Sequence, residues 1–270
     1  MSKTVVITGG TSGIGEVAAI RLAEQGARIV LIARDGERAK ATLAKLAGTG
    51  HAAHIADLSR LSEMKRVAGE IEGDVDVLIN NAGALFGKRQ VTEDGLEMTF
   101  AVNHMAYFVV TNLLLPRMRA GARIVSTASD AHRGAKLDFD DLQNEKRYSA
   151  FSVYGKSKLC NILFTRELAR RVDGSGVTAT CLHPGFVATR FGDHSGGLFQ
   201  TAVKIAKPLG AISPEEGAKT IVYLASSPEV EGQSGGYYVK CKLAVPTRAA
   251  QNDADAKRLW DASAKIAHVG

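Results

Sequence analysis

Short β-branched runs alternate along this chain with longer stretches whose apolar residues recur every three or four positions. Thr4-Val5-Val6-Ile7-Thr8 reads as a buried strand; Val17, Ala18, Ile20, Arg21 and Leu22 then mark an apolar-periodic helix that stops near Gln25-Gly26. The same reading puts further strands at about 28–32, 51–56, 75–80, 122–128, 176–182 and 236–240. Helices fall at about 13–25, 36–47, 60–71, 96–119, 152–172, 214–226 and 252–266. This alternation predicts one α/β domain over residues 1–270, a doubly wound parallel sheet of about seven strands with helices on both faces. No internal repeat, low-complexity tract or second-domain boundary interrupts it. Such a sheet binds ligands beyond the carboxyl ends of its strands, and the motifs below all fall there.

The first strand runs into Gly9-Gly10-Thr11-Ser12-Gly13-Ile14-Gly15, between a strand and a helix start. Glycines in that context allow a tight turn, let backbone N–H groups approach a pyrophosphate and aim the helix N-terminus at the anion. The G-x-x-x-G-x-G spacing of Gly9, Gly13 and Gly15 departs from the G-x-G-x-x-G of the standard dinucleotide fingerprint. Farther on, Tyr154 and Lys158 are four apart and share a helix face. An ammonium beside a phenol favours phenolate, which draws the tyrosine pKa toward the range of a general acid at neutral pH. Ser129 ends the apolar strand Arg123-Ile124-Val125-Ser126-Thr127-Ala128-Ser129; Ser126, its rival, lies earlier in the run.

Together with Thr8 and Asn80-Asn81-Ala82-Gly83, these motifs resemble the short-chain dehydrogenase/reductase family over about residues 3 to 266. The resemblance implies a Rossmann-type fold and hydride transfer between a nicotinamide and a carbonyl or alcohol. It implies that Tyr154 is the general acid/base, that Ser129 bonds the substrate oxygen, and that Lys158 tunes Tyr154 and holds the nicotinamide ribose. Asn103, inside the apolar helix, becomes the fourth member of an Asn-Ser-Tyr-Lys set, holding a water that links Lys158 to solvent. For the cofactor it implies Gly9, Gly13, Ile14 and Gly15 at the pyrophosphate and Asp57-Leu58 at the adenine, and the Thr11 and Ser12 hydroxyls are available to a 2′-phosphate. Asn81, Ala82 and Gly83 form cofactor-side scaffold; Pro184, Gly185 and Val187 lie at the nicotinamide amide, and Thr189 bonds that amide or the pyrophosphate. Asp57 also reads as a helix N-cap, a role that Ser59 could share. His183 has no necessary task beside an intact Tyr/Lys pair. Asp130-Ala131-His132, a long interval before Tyr154, and Ala256-Lys257-Arg258-Leu259-Trp260 look like the retinol dehydrogenase and WW-domain-oxidoreductase branch.

The second strand ends Leu31-Ile32-Ala33-Arg34-Asp35. An acid here would bond the adenosine ribose and repel a 2′-phosphate. By the resemblance that position is Ala33, while Arg34 next to it can pair with a phosphate, which favours NADP(H) over NAD. The competing reading takes Asp35 as the ribose ligand; Asp35 also suits the N-cap of the helix beginning at Gly36.

Composition narrows the partners. Hydrophobic residues are 45% and charged residues 23%, as in soluble globular chains. The net charge of +6 comes from scattered basic residues without a Lys/Arg block, which argues against nucleic acid. No apolar run is read as a membrane span, and a cytoplasmic chain is the default expectation. Cys160, Cys181 and Cys241 lack metal-ligand spacing and read as reduced thiols, with no metal site. A substrate lid is expected at about 190–213, where Phe191, Leu198, Phe199, Val203 and Ile205 would line an apolar pocket. His194 and Arg190 are available for a polar substrate end. A nucleotide sensor on the same fold and an epimerase-type enzyme sharing the Tyr/Lys pair are the readings from other classes. Helices 96–119 and 152–172 are the family's usual pairing surfaces. The charged segment from Asp130 to Ala150 is positioned to cover them, so a monomer or dimer is expected rather than a tetramer.

Overall fold

The computed structural model describes residues 3–186 and 212–269. One sheet contains β1 (Thr4–Thr8), β2 (Arg28–Ala33), β3 (Ala52–Ile55), β4 (Val77–Asn80), β5 (Arg123–Thr127), β6 (Thr178–His183), β7 (Tyr237–Val239) and β8 (Lys242–Ala244). Their order is β3-β2-β1-β4-β5-β6-β7-β8. Neighbours from β3 through β7 pair in parallel, while β8 runs antiparallel to β7. The order reverses between β1 and β4, which opens a crevice at their carboxyl ends.

The strands are apolar on both sides because both faces are covered. Val6, Val30, Ile32, Leu78 and Ile124 face the layer of α3 (Leu61–Glu70), α5 (Ala106–Leu114), α6 (Ala150–Arg171) and α8 (Asp253–Ala267). Val5, Ile7, Ile29, Leu31, Val77, Ile79 and Val125 face the layer of α1 (Gly13–Glu24) and α7 (Pro214–Ser226). The eighth strand exceeds the expected seven. It returns from β7 through Lys240 and Cys241, both with positive φ (49° and 60°), a two-residue hairpin turn without its usual Asn-Gly or Asp-Gly signature.

The expected helix over 96–119 is composite. Glu97 caps α4 (Met98–Phe100), its buried carboxylate accepting from the Thr99 and Phe100 N–H groups at 2.8 Å each. A π-helical turn over Ala101–Met105 follows, then α5. By length and composition Met98–Arg117 could cross a membrane, which corrects the expectation that no apolar run reaches that length. Here it is a core helix: Phe108, Val109, Val110 and Leu114 are fully buried.

The helix faces expected to pair between copies are covered from within. Trp260 of α8 stacks on Phe164 at 5.8 Å and meets Phe108 edge-on at 4.9 Å. Phe108, Ile162 and Phe164 are thereby buried, and Leu115 partly so. The Asp130–Ala150 segment adds Leu137 and Phe139 to the same core, with the Arg258 guanidinium 4.4 Å over Phe139. Cys160 and Cys181 are buried free thiols, pushed up to about 12 by desolvation, and Cys241 is half-buried and free.

Candidate active site

The crevice between β1 and β4 is shaped by close backbone approaches that side chains would block. A Cβ on Gly9 (φ +68°) would lie 2.8 Å from Ala82 Cα, and one on Gly15 would lie 2.4 Å from the Gly9 carbonyl oxygen. The Thr8 hydroxyl accepts from the Asn81 and Ala82 N–H groups at 2.9 and 3.0 Å. Asn81 Nδ2 donates back to the Thr8 and Gly9 carbonyls at 3.3 and 3.1 Å. Asn81 is therefore the strut between the two loops. Ser12 precedes α1 in extended conformation and makes no side-chain cap bond. This glycine cradle, with its helix N-terminus, fits the pyrophosphate of a dinucleotide.

At the end of β2, Asp35 caps α2 (Gly36–Leu43), accepting from the Arg38 N–H at 3.1 Å and facing the Arg38 guanidinium at 3.4 Å. Ala33 is buried; Arg34 is exposed, and its side chain forms no hydrogen bond or ion pair among the described residues. Asp57 accepts from the Ser59 N–H at 3.0 Å and caps no helix, because α3 begins only at Leu61. The Leu61 N–H is held instead by Asp94 at 2.8 Å, and Leu58 is buried. The expected Asp57 or Ser59 cap is thus supplied by a loop 33 residues away.

The four candidate chemical residues converge beside this cradle. Ser129 follows β5; its hydroxyl accepts from the Ala131 N–H at 3.2 Å and hydrogen-bonds the Tyr154 phenol. Ser126 lies within the sheet and is buried. Lys158, 2% exposed, donates to the Thr127 carbonyl at 3.0 Å, and its Nζ is 5.5 Å from the Tyr154 ring centre. A Cβ on Gly83 would lie 3.3 Å from Asn103 Oδ1 and 3.4 Å from Lys158 Nζ, so the loop passes close to both side chains. Asn103 sits on the π-helical turn. It accepts from the Ala84 N–H at 2.8 Å and donates to the Ala84 carbonyl and to Ser157 Oγ at 2.9 Å each. π-helical turns recur at functional sites because they turn one side chain out of helical register.

The electrostatics differ from the sequence expectation in sign. Burial pushes the Tyr154 phenol above its ordinary range, opposed only in part by Ser129. Burial also lowers Lys158, to about 7.

Residue-by-residue spacing and whole-chain similarity agree on lineage: the short chain dehydrogenase family model matches residues 3–196. The chain belongs to the short chain dehydrogenase family. It is 39% identical over 280 residues to human retinol dehydrogenase 13, across 98% of this chain and 84% of that one. A Mycobacterium paratuberculosis crystal structure superposes with a TM-score of 0.82 at 32% identity, covering 99% of this chain and 94% of that one. An actinorhodin polyketide ketoreductase variant crystallised with NADPH superposes at 0.67 with 25% identity, covering 87% and 94%. As a short chain dehydrogenase it is an oxidoreductase acting on CH–OH and C=O groups, close to the retinol dehydrogenase-like members.

One residue of this short chain dehydrogenase site was not singled out by sequence. Ser157 is a hub: its hydroxyl donates to the Tyr154 carbonyl at 2.7 Å and accepts from Asn103. It lies in the motif itself, but only the fold shows what it joins. After β6, Pro184 and Gly185 (φ +92°) turn the chain, and the Ile212 N–H bonds the Phe186 carbonyl at 2.8 Å. Val187, Thr189 and all of the expected lid but its last two residues lie outside the described residues.

Proposed function

We propose that this chain is an NADP(H)-dependent oxidoreductase that reduces an apolar carbonyl, or oxidises the matching alcohol, with Tyr154 as general acid/base. The observation that carries the reading is the convergence of the Ser129 hydroxyl, the Tyr154 phenol and the Lys158 ammonium beside a glycine-walled cradle. When bound, the nicotinamide supplies or accepts the hydride. Ser129 and Tyr154 donate hydrogen bonds to the substrate oxygen, and their fixed orientation stabilises the charge that develops there. A phenol held neutral by burial keeps its proton until that charge appears. Lys158, anchored on the Thr127 carbonyl with its Nζ 5.5 Å from the Tyr154 ring centre, stabilises in its charged form the phenolate that the proton leaves behind. Asn103 and Ser157 fix the spacing between the Gly83-Ala84 loop and α6, which carries Tyr154.

NADP(H) is favoured because Asp35 is occupied by its own helix and by Arg38, whereas Arg34 is exposed beside the buried Ala33. The relatives' names span retinol and polyketide chemistry, so the substrate class proposed is an apolar carbonyl or alcohol. A monomer or dimer is proposed because α8 already covers Phe108 and Phe164. The test is consumption of NADPH or NADH against a panel of apolar aldehydes and ketones. Turnover with NADPH is expected; no turnover with any member would defeat the reading.

A further inference from the structure

Next to Ser129 lies a group of side chains with no task in the proton transfer. After β5 the chain passes Ser129 and turns through a short 3-10 helix, Asp130–Gly134. Two histidines from different elements hold this turn, each through the backbone. His183, the last residue of β6, accepts the Asp130 N–H at Nδ1, 3.2 Å away. His132, inside the turn and fully buried, bonds the Ser129 carbonyl through Nδ1 at 2.7 Å and the Thr247 N–H through Nε2 at 3.3 Å. A ring nitrogen that accepts a backbone N–H is unprotonated, so this network assigns His183 the Nε2–H form and His132 the Nδ1–H form.

The Asp130 carboxylate closes the arrangement. Its Oδ1 accepts from the Tyr237 hydroxyl and from Arg133 Nε at 3.0 Å each, and its Oδ2 faces His183 Nε2 at 3.7 Å. The turn then bears directly on the helix carrying Tyr154. A Cβ on Gly155 would lie 2.6 Å from the Ala131 carbonyl oxygen, so α6 rests against the turn at the residue after Tyr154.

We propose that His183 is a positioning residue for the reaction: by holding the Asp130 backbone it fixes the Asp130–Gly134 turn, and through that turn the Ser129 hydroxyl against Tyr154. The inference rests on the oxidoreductase reading above. His183 acts through Asp130 and transfers no proton itself, because both of its nitrogens face Asp130. Small displacements of a reacting group cost far more in rate than in binding, so the effect belongs in kcat.

The test compares His183→Ala and His183→Asn with wild type on a carbonyl that wild type reduces. Asparagine puts an acceptor oxygen close to the position of Nδ1, and alanine provides none. The alanine variant is expected to lose about tenfold to a hundredfold in kcat, with NADPH affinity by fluorescence titration within about twofold of wild type. The asparagine variant is expected to recover most of that loss. The proposal is overturned if the alanine variant keeps more than about half of the rate, if its loss is confined to KM for NADPH, or if asparagine restores nothing. A long-range ¹H–¹⁵N correlation spectrum of the wild-type protein reads the His183 tautomer without turnover. The Nε2–H form is expected, and the Nδ1–H form would overturn the proposal even if the alanine variant does not fold. This spectrum also separates the positioning claim from the oxidoreductase reading, which the carbonyl panel tests.

Discussion

Replacing Lys158 with methionine should stabilise the protein, and by an amount that depends on pH in one direction only. Lys158 is 2% exposed, and burial lowers it from 10.5 to about 7. Between those values the unfolded lysine holds a proton that the folded one has released, so raising the pH through this window favours the folded state. Below about 7 both forms are charged, and the full cost, on the order of 5 kcal/mol at about 1.4 kcal/mol per pKa unit, bears on the folded protein. From pH 6 to pH 9 roughly 3 kcal/mol of that cost is relieved. Methionine is close to lysine in length and carries no charge, and the Thr127 carbonyl keeps a donor in Asn161 Nδ2 at 3.2 Å. The advantage of Lys158→Met over wild type should therefore be largest at pH 6 and shrink by roughly 3 kcal/mol by pH 9. Urea unfolding at several pH values reports it through Trp260, the only tryptophan and a buried one. Other titrating groups are shared by the two proteins and cancel in the difference. An advantage that stays flat across this range would refute the reasoning, because it would mean that the lysine titrates normally in the fold.

Arg34→Ala should weaken NADPH about tenfold or more relative to NADH, the loss of a charged hydrogen-bond partner at the 2′-phosphate. Fluorescence titration of both cofactors measures it, and equal losses would show that Arg34 does not read the phosphate. Sedimentation at micromolar protein should give a monomer or dimer, since Phe108, Ile162 and Phe164 are buried within one chain. A stable tetramer would contradict that.

The strand–helix alternation was legible because the β-branched runs of β1, β2, β4 and β5 are buried on both faces and stand out from the longer helical stretches between them. β8 was not, because its turn uses Lys240 and Cys241 at positive φ, residues that carry no turn signature. The π-helical turn at Asn103 was not read because nothing in Ala101–Met105 signals a change in the backbone hydrogen-bond register. Asp35 could be read as a cap because a cap is local, three residues from its donor. Asp57 could not be judged in the same way, since its helix is closed by Asp94 from another loop. The Tyr154, Lys158 and Gly9–Gly15 motifs were readable as patterns. The Asp130 network was not, because its bonds join residues 53, 107 and 115 positions apart. The direction of the Tyr154 pKa was also missed, because spacing reports a neighbouring lysine but not the burial of both groups.

The central claim is that Tyr154 moves the proton while the cradle holds NADP(H), and one measurement reaches it most directly. Deuterated NADPH is incubated with a reducible carbonyl and with wild-type or Tyr154→Phe protein, and label in the alcohol product is followed by mass spectrometry. The account predicts labelled alcohol from wild type and a loss of about a hundredfold or more in Tyr154→Phe, the low end of what a general acid supplies. NADPH binding by the variant should stay within about twofold, since only the hydroxyl is removed. A variant that keeps more than about a tenth of the labelling rate would contradict the account and assign the proton to another group.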